Sequence, residues 1–284
     1  MVEAQTQAWE TSTRRNWNTG MLPEVNGKAD YYVVHNYFTP YNTNSNVTDI
    51  LSSALVEMPK MMDFVKSSWQ ANSATAKPVA LDEWNIFATG SKQMVSHVNG
   101  MHAVLLLGEA LKKGYGMSSR WDLANGWSNG DDHGMFNNGD EPDGVPKWNP
   151  RPAFYHMYFF QKFLGDRAVT SSVSGTTDIE TVASSFTSGE TGVTLVNKST
   201  TFKTVEIKVQ NFRKGARYYW YTLSGGTDNG EFSRKTFVNG KSSVYASGGP
   251  SNYTTLSAYS ASTANGMRVT IPARSVICLV IDKQ

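Results

Sequence analysis

The segment Lys77-Pro-Val-Ala-Leu-Asp-Glu-Trp84 decides the fold, because a short apolar run ends abruptly in two carboxylates and an aromatic ring. An apolar run of this length is typical of a strand that is buried on both faces of a sheet. Two further runs, Ala29-Asp-Tyr-Tyr-Val-Val-His-Asn-Tyr37 and Met117-Ser-Ser-Arg-Trp-Asp122, lie on either side of it and end in a similar way. The sequence therefore predicts three related strands.

Helical patterns separate these strands. Between residues 48 and 72 apolar side chains recur at helical spacing, and Pro59 inside the pattern predicts that one helix ends and another begins there. Residues 92–113 predict the clearest helix, which Gly114 ends, and residues 151–164 predict an aromatic-rich helix. Alternating strands and helices predict parallel βα units, so this part belongs to the α/β class.

The spacing of the strands limits the number of βα units. The predicted strands start near residues 31, 79 and 117, which is 48 and then 38 residues apart. At this spacing residues 1–165 hold three or four units, whereas a complete (β/α)8 barrel takes about 250 residues. We therefore expect this part to be the last section of such a barrel.

The chain changes character near Gly165. Residues 166–284 combine short β-branched and aromatic runs with turn signals such as Asn239-Gly and Asn265-Gly, a pattern typical of an antiparallel β-sandwich. The sequence thus predicts a partial barrel over residues 1–165 and an all-β sandwich over residues 166–284. The strands predicted in the second part are 181–186, 192–197, 204–209, 217–221, 236–238, 268–271 and 276–281.

Composition argues against several classes of protein. Twenty-six basic and 24 acidic residues give a net charge of +2, which is too balanced to favour nucleic-acid binding. No apolar run reaches the length of a membrane span, and residues 1–7 do not have the pattern of a signal peptide. The single Cys278 excludes internal disulfides, and its apolar surroundings predict a thiol in a core strand.

Polar and aromatic side chains follow each of the three predicted strands. In βα barrels the chemistry lies at the carboxyl ends of the strands. There this chain has His35-Asn-Tyr37, then Asp82-Glu-Trp-Asn85, then Arg120-Trp-Asp122. A carboxylate at a barrel mouth must be solvated or hydrogen-bonded, so Glu83 between these neighbours is the sharpest candidate for a catalytic group.

This pattern resembles the clan A retaining glycoside hydrolases. In that clan strand six often ends in His-x-Tyr, strand seven carries the nucleophilic glutamate, and strand eight ends in an aromatic residue below the sugar. The resemblance implies that Glu83 is the nucleophile and that Tyr37 hydrogen-bonds it, while the tryptophans could equally fill the core. The substrate contacts that we predict are His35, Asn36, Tyr37, Trp84, Asn85, Trp121, Asp122, Trp127 and His133.

The second part looks most similar to the sandwich of agarases and porphyranases. The segments that carry this likeness are residues 219–226, 237–240, 248–253 and 258–260. Arabinofuranosidases and xylosidases share the same general layout and stay open as alternatives. The resemblance implies a polysaccharide substrate, with an agar- or porphyran-type galactan first and arabinan or xylan second, and a parent enzyme that is secreted or periplasmic.

The resemblance leaves the acid/base unassigned. In the clan this group is the glutamate of an Asn-Glu pair at the end of strand four, and this chain contains no such pair. Only Glu3, Glu10 and Glu24 precede His35, and none of them ends an apolar strand. The resemblance implies that the chain runs from the end of unit 5 to unit 8 and then into the sandwich. We expect the chain alone to be nearly inactive, and a complementary N-terminal barrel chain or self-association to complete it.

The loop over residues 125–149 is a further candidate site. Its carboxylates could gather around Ca²⁺, but their spacing does not match a calcium-binding loop. We expect a solvated acidic loop beside the sugar cleft, and no metal or cofactor. A non-catalytic carbohydrate-binding fragment is the competing hypothesis from another class. The carboxylates concerned are Asp131, Asp132, Asp140, Glu141 and Asp143.

Overall fold

The computed structural model describes residues 1–5, 11–90, 92–127 and 132–284. The helices are α1 (Ser12–Arg15), α2 (Trp17–Val25), α3 (Val47–Ala71), α4 (His97–Lys113) and α5 (Pro152–Phe163), with a 3₁₀ turn at Gln93–Val95. The first strands are β1 (Tyr32–Tyr37), β2 (Val79–Asn85), β3 (Met117–Arg120), β4 (Ala124–Asn125) and β5 (Phe136–Asn137). The later strands are β6 (Arg167–Val169), β7 (Ile179–Ser185), β8 (Thr191–Asn197), β9 (Lys203–Ile207), β10 (Lys214–Ser224), β11 (Phe237–Val238), β12 (Tyr259–Ser262), β13 (Met267–Ile271) and β14 (Ser275–Lys283). None of the described helices has the length and apolar character needed to cross a membrane.

Strands β1, β2 and β3 form a parallel sheet in that order, as the alternation of strands and helices predicts. One hydrophobic cluster, called here the first cluster, joins this sheet to α3, α4 and α5 through buried side chains such as Leu81, Met58, Val104 and Phe159. Because the strands are parallel, their carboxyl ends lie at the same edge of the sheet. The polar side chains that follow the strands are therefore neighbours.

Helix α3 runs through Pro59 without interruption, so the predicted break at this residue is wrong. A proline inside a helix removes one backbone donor and crowds the preceding turn, at a cost of about 3 kcal/mol. The helix nevertheless buries a long apolar stripe that extends from Ile50 and Leu51 to Val65 and Trp69. Burial of this stripe outweighs the local cost of the proline.

The second part contains an antiparallel sheet with the strand order β11-β10-β14-β8-β7-β6, and β12 pairs with β10. A separate antiparallel pair consists of β9 and β13. Each strand predicted for this part is present within a few residues of its predicted bounds, whereas β6 and β12 were not predicted. The class is therefore mixed, with a parallel sheet first and an antiparallel sheet after it.

Strand β14 contributes to two hydrophobic clusters. Successive side chains of a strand point to opposite faces. Val276 and Cys278 join the first cluster, whereas Ile277, Leu279 and Ile281 join a second cluster with β13. Burial raises the pKa of the Cys278 thiol to about 12, which makes it an inert part of a core strand, as predicted.

The amino end of α4 contacts the second part through His97. Its Nδ1 lies 3.1 Å from Thr236 Oγ1, and its Nε2 lies 3.0 Å from the carbonyl oxygen of Arg274. The ring of His156 from α5 meets it edge-on, at 4.7 Å between centroids. Burial lowers the pKa of His97 to about 4, against a smaller opposite effect of the Arg274 carbonyl, so this ring is neutral at pH 7. Both histidines are part of the packed interior.

A buried ion cluster fixes the loop between β5 and α5. Glu141 lies 3.0 Å from Arg151 Nε and 2.9 Å from Arg234 Nη1, and its side chain is fully buried. Arg234 comes from the second part and also contacts Asp143. The prediction of a solvated acidic loop is therefore wrong for Glu141, because two guanidinium groups replace water around it. Asp131 lies outside the described residues, and among the residues that the structure describes no group of three or more His, Cys, Asp or Glu side chains could hold a metal ion.

Replacing Glu141 by glutamine should lower the free energy of unfolding by about 3–5 kcal/mol, because Arg151 would keep a buried charge without a carboxylate partner. Urea unfolding followed by tryptophan fluorescence measures this change. Asp143→Asn is the matched control, since Asp143 also contacts Arg234 but is largely exposed, and its loss should cost less than about 1 kcal/mol. Equal effects of the two variants would contradict a stabilising role for the buried cluster.

Candidate functional site

Strand β2 is irregular at the point where its polar residues begin. Val34 of β1 pairs with Leu81, but the next residue, His35, pairs with Glu83, so Asp82 is an extra residue on β2. The register of β2 against β3 shifts over the same stretch. A bulge of this kind redirects the side chains of its strand. Here it brings the carboxylates of Asp82 and Glu83 to the same imidazole.

Glu83 lies between two side chains of β1. The Tyr37 hydroxyl donates a hydrogen bond of 2.6 Å to Glu83 Oε1, and His35 Nδ1 lies 3.6 Å from Oε2. The Glu83 side chain keeps 27% of its surface exposed. One carboxylate oxygen is therefore bound by a hydroxyl, the other faces an imidazole, and the group as a whole is open to solvent.

Tyr37 is held in place by two rings. Phe87 stacks on it at 4.2 Å between ring centroids, and His133 meets it edge-on at 5.4 Å. Burial raises the pKa of Tyr37, and the hydrogen bond to the Glu83 carboxylate raises it further. The hydroxyl is therefore protonated at neutral pH and acts as a hydrogen-bond donor.

The end of β3 is tied to the end of β2 by Asn85. The Asn85 amide donates a hydrogen bond of 2.5 Å to the carbonyl of Trp121, and its Oδ1 accepts one of 3.0 Å from Asn99. The peptide bond between Trp121 and Asp122 is cis. Burial raises the pKa of Asp122, while the charge of the buried Arg120 lowers it.

Three of the predicted substrate contacts lie out of reach of a sugar. Trp84 has no exposed surface and belongs to the first cluster. Asn85 is equally buried and its amide serves the hydrogen bonds between strand ends. His133 is buried too, with its ring packed edge-on against both Tyr37 and Phe87. The predictions of direct sugar contact are therefore wrong for these three residues, whose buried side chains pack beneath the exposed part of the site.

The remaining predicted contacts differ in accessibility. Trp121 is 46% exposed, and Asp122 beside it is partly buried. Trp127 is half-buried, and the guanidinium carbon of Arg234 lies 5.1 Å above its ring. Asn36 points away from Glu83, because its amide contacts Met61 Sδ of α3 at 3.3 Å. Glu83, Tyr37 and His35 are thus brought together, whereas Asn36 lies on the helix side of β1.

A cavity of about 800 Å³ opens beside Tyr37, at the edge of β1 that faces away from β2. Its volume falls in the range of small-molecule sites, which is about 300–1,000 Å³. The wall mixes aromatic, amide and charged side chains. The residues that contribute them are Asn36, Tyr37, Phe38, Glu57, Lys60 and Phe64.

Two members of the site, Asp82 and Phe87, were not predicted. Regular alternation in β2 would place the Asp82 side chain on the face opposite Glu83, and only the bulge reverses this. The two successive carboxylates at the end of this strand are the sequence feature that could have indicated the place of Asp82 in the site. Phe87 follows the end of β2, where no periodic pattern indicates which ring it contacts.

Solved structures with a similar fold are clan A glycoside hydrolases. CelM2, a bifunctional glucanase-xylanase from a metagenome library, matches with a TM-score of 0.58 and 16% identity, over 95% of this chain and 46% of its own. The GH51 α-L-arabinofuranosidase of Thermotoga petrophila RKU-1 matches with a TM-score of 0.64 and 14% identity, over 94% and 55%. A GH44 endoglucanase of Clostridium acetobutylium ATCC 824 matches with a TM-score of 0.61 and 12% identity, over 90% and 47%. The chain shares the fold of these enzymes.

The chain spans about half the length of the solved structures named above. No protein-family model matches its sequence, and no curated protein matches it either. The likeness therefore establishes the fold and supports the predicted resemblance to clan A at that level. The finer resemblance to agarases and porphyranases gains no support from these structures.

Burial separates the roles of two neighbouring tryptophans. Trp84→Ala should lower the free energy of unfolding by about 3–5 kcal/mol, because it opens a cavity in the first cluster. Trp121→Ala should change it by no more than about 0.5 kcal/mol, because this ring is largely exposed. Thermal and urea unfolding of both variants measure the difference. A loss above about 2 kcal/mol for Trp121→Ala would contradict its assignment to an open site.

Proposed function

We propose that this chain is part of a retaining glycoside hydrolase acting on a polysaccharide, with Glu83 as the nucleophile. The observation that carries the proposal is the solvent-open Glu83 carboxylate at the end of β2, bound at 2.6 Å by the Tyr37 hydroxyl. A nucleophilic carboxylate must be ionised and oriented. A hydrogen bond from a protonated phenol orients the carboxylate through one of its oxygens.

The reaction follows from the two oxygens of this carboxylate. Tyr37 holds Oε1, so Oε2 is the oxygen that attacks the anomeric carbon. The new carbon–oxygen bond forms as the bond to the leaving group breaks, and a second carboxyl protonates the leaving oxygen. Water then gives a proton to the second carboxylate, attacks the anomeric carbon and releases the Glu83 carboxylate. Trp121 offers an exposed ring for a sugar face near the same strand ends.

The position of Glu83 in the fold is consistent with this chemistry. We infer that β1, β2 and β3 with α3, α4 and α5 are the last units of a (β/α)8 barrel, and that the antiparallel sheets form a sandwich after it. The predicted division between residues 165 and 166 fits this assignment, since β6 begins at Arg167. In a barrel, the edge where Glu83 lies is the one that carries the active site.

The substrate class is narrowed by the enzymes that share the fold. The enzymes that share the fold are an arabinofuranosidase, a glucanase-xylanase and an endoglucanase. Their names favour arabinan or xylan over an agar- or porphyran-type galactan as the first substrate to test. A polysaccharide is too large to cross a cell membrane intact, so we propose that the parent enzyme is secreted or periplasmic. No cofactor is needed, because two carboxyls suffice for the reaction.

The second carboxyl is the missing part of the mechanism. We propose that a polypeptide segment outside these 284 residues supplies it, together with the preceding strands of the barrel. The coverage of 46–55% of the longer enzymes supports this. Parallel sheets are normally flanked by further strands and covered on both faces, which a three-stranded sheet does not provide for itself.

Glycosides with an activated leaving group test Glu83 without the second carboxyl, because dinitrophenolate departs without protonation. We expect one of the 2,4-dinitrophenyl 2-deoxy-2-fluoro glycosides of arabinofuranose, xylose, glucose or galactose to label the protein once. Intact-mass spectrometry measures the label, and peptide mapping should place it on Glu83. Glu83→Gln should abolish labelling, whereas Glu24→Gln, at an exposed helix position, should leave it unchanged.

The same experiment separates an enzyme from a binding fragment. Labelling that depends on Glu83 supports the hydrolase. Retention of the protein on an arabinan or xylan affinity gel, with no label from any of the four glycosides, would support the non-catalytic carbohydrate-binding fragment instead.

Native mass spectrometry of the protein purified from its own cells tests the origin of the second carboxyl. A mass above 31.3 kDa that includes further polypeptide, covalently linked or bound, is the expected result. A mass of 31.3 kDa or a whole multiple of it would contradict a complementary segment. A multiple would point to self-association.

A further inference from the structure

The bulge in β2 has placed a second carboxylate next to the proposed nucleophile. Asp82 Oδ1 lies 2.6 Å from His35 Nε2, while His35 Nδ1 lies 3.6 Å from Glu83 Oε2. The imidazole therefore lies between two carboxylates, within ion-pair distance of both, and this arrangement is called here the bridge. All three side chains are partly exposed, so the bridge lies at the mouth of the site and not in the core.

This arrangement is unfavourable as a purely structural feature. A bulge leaves one residue of the strand outside the ladder of backbone hydrogen bonds. The bridge also brings two carboxylates of like charge to the same ring, and like charges repel. A strand end without a function would direct Asp82 to the opposite face of the sheet and avoid both costs.

We propose that Asp82 is a positioning residue for Glu83 and acts through His35. This inference rests on the proposed nucleophilic role of Glu83. A carboxylate at one ring nitrogen of a histidine fixes the orientation of the ring and the position of its proton. With Asp82 at Nε2, the Nδ1 side of the ring is directed at the Glu83 oxygen that Tyr37 leaves free.

The bridge acts on the oxygen that reacts. Tyr37 binds Oε1 on one side, and His35 faces Oε2 at 3.6 Å, so each oxygen of the carboxylate has a neighbour from β1. The other charged groups near the cluster are Arg120 and Asp122 at the end of β3, which act on Tyr37. His35 is thus the side chain through which Asp82 reaches Glu83.

The test compares the rate of Glu83 labelling by the dinitrophenyl fluoroglycoside that labels the wild-type protein. Asp82→Asn, which keeps the shape of the side chain, should slow labelling about tenfold, the size of effect seen when a carboxylate that orients a histidine is removed. His35→Gln should slow it at least as much. In the His35→Gln background, Asp82→Asn should add less than about a twofold change, because its route to Glu83 is gone.

A spectroscopic readout accompanies the kinetics. The imidazole ¹⁵N signals of His35, assigned by their loss in His35→Gln, should shift in Asp82→Asn. Asp30→Asn is the matched control, because Asp30 is an exposed aspartate just before the other end of β1. It should change neither the labelling rate nor the His35 signals.

The outcomes separate this inference from the proposed function. If no glycoside labels wild-type Glu83, both are overturned. Labelling of wild-type Glu83 with an unchanged rate in Asp82→Asn overturns only the role of Asp82. Independent, multiplying effects of Asp82→Asn and His35→Gln, or unshifted His35 signals in Asp82→Asn, would overturn the route through His35.

Discussion

The alternation of side chains along β14 is the constraint on which the rest of the structure depends. One face of this strand packs with α5 within the first cluster, and the other packs with β13. Because a shift by one residue would exchange the two faces, the register of β14 against β8 and β10 is fixed by burial. That register in turn holds α4 and α5 against the antiparallel sheet, and these helices support the strands that carry the candidate site.

Regular patterns made much of the fold predictable from the sequence. Strand β2, which carries Asp82 and Glu83, and the run around Cys278 have the apolar character of buried strands, so the sequence predicts their bounds within a few residues. Pro59 predicts a break through its local effect on the backbone, but α3 continues because it buries a long apolar stripe on both sides of this residue. Glu141 misled for a related reason, since its partner Arg234 is distant in sequence and only folding brings the charges together.

The candidate site was predictable in its centre and not in its surroundings. Glu83 and Tyr37 follow strands that the sequence reveals, so their approach could be expected. Trp84 belongs to the same short segment, yet its ring turns inward and fills the core. Which side chains of a strand end face the cleft depends on the bulge at Asp82, and a bulge is a property of the pairing between strands, not of one strand alone.

His97, the neutral histidine through which α4 contacts the second part, makes the contact between the two parts sensitive to low pH. His97 titrates near 4 in the folded chain and near 6.5 when unfolded, so the unfolded chain takes up its proton first. The contribution of neutral His97 to the free energy of unfolding is complete above about pH 6.5 and decreases as the pH falls toward 4. As the medium becomes more acidic, protonation of His97 would bury a positive charge beside His156. This charge would weaken the contact between α4 and the second part.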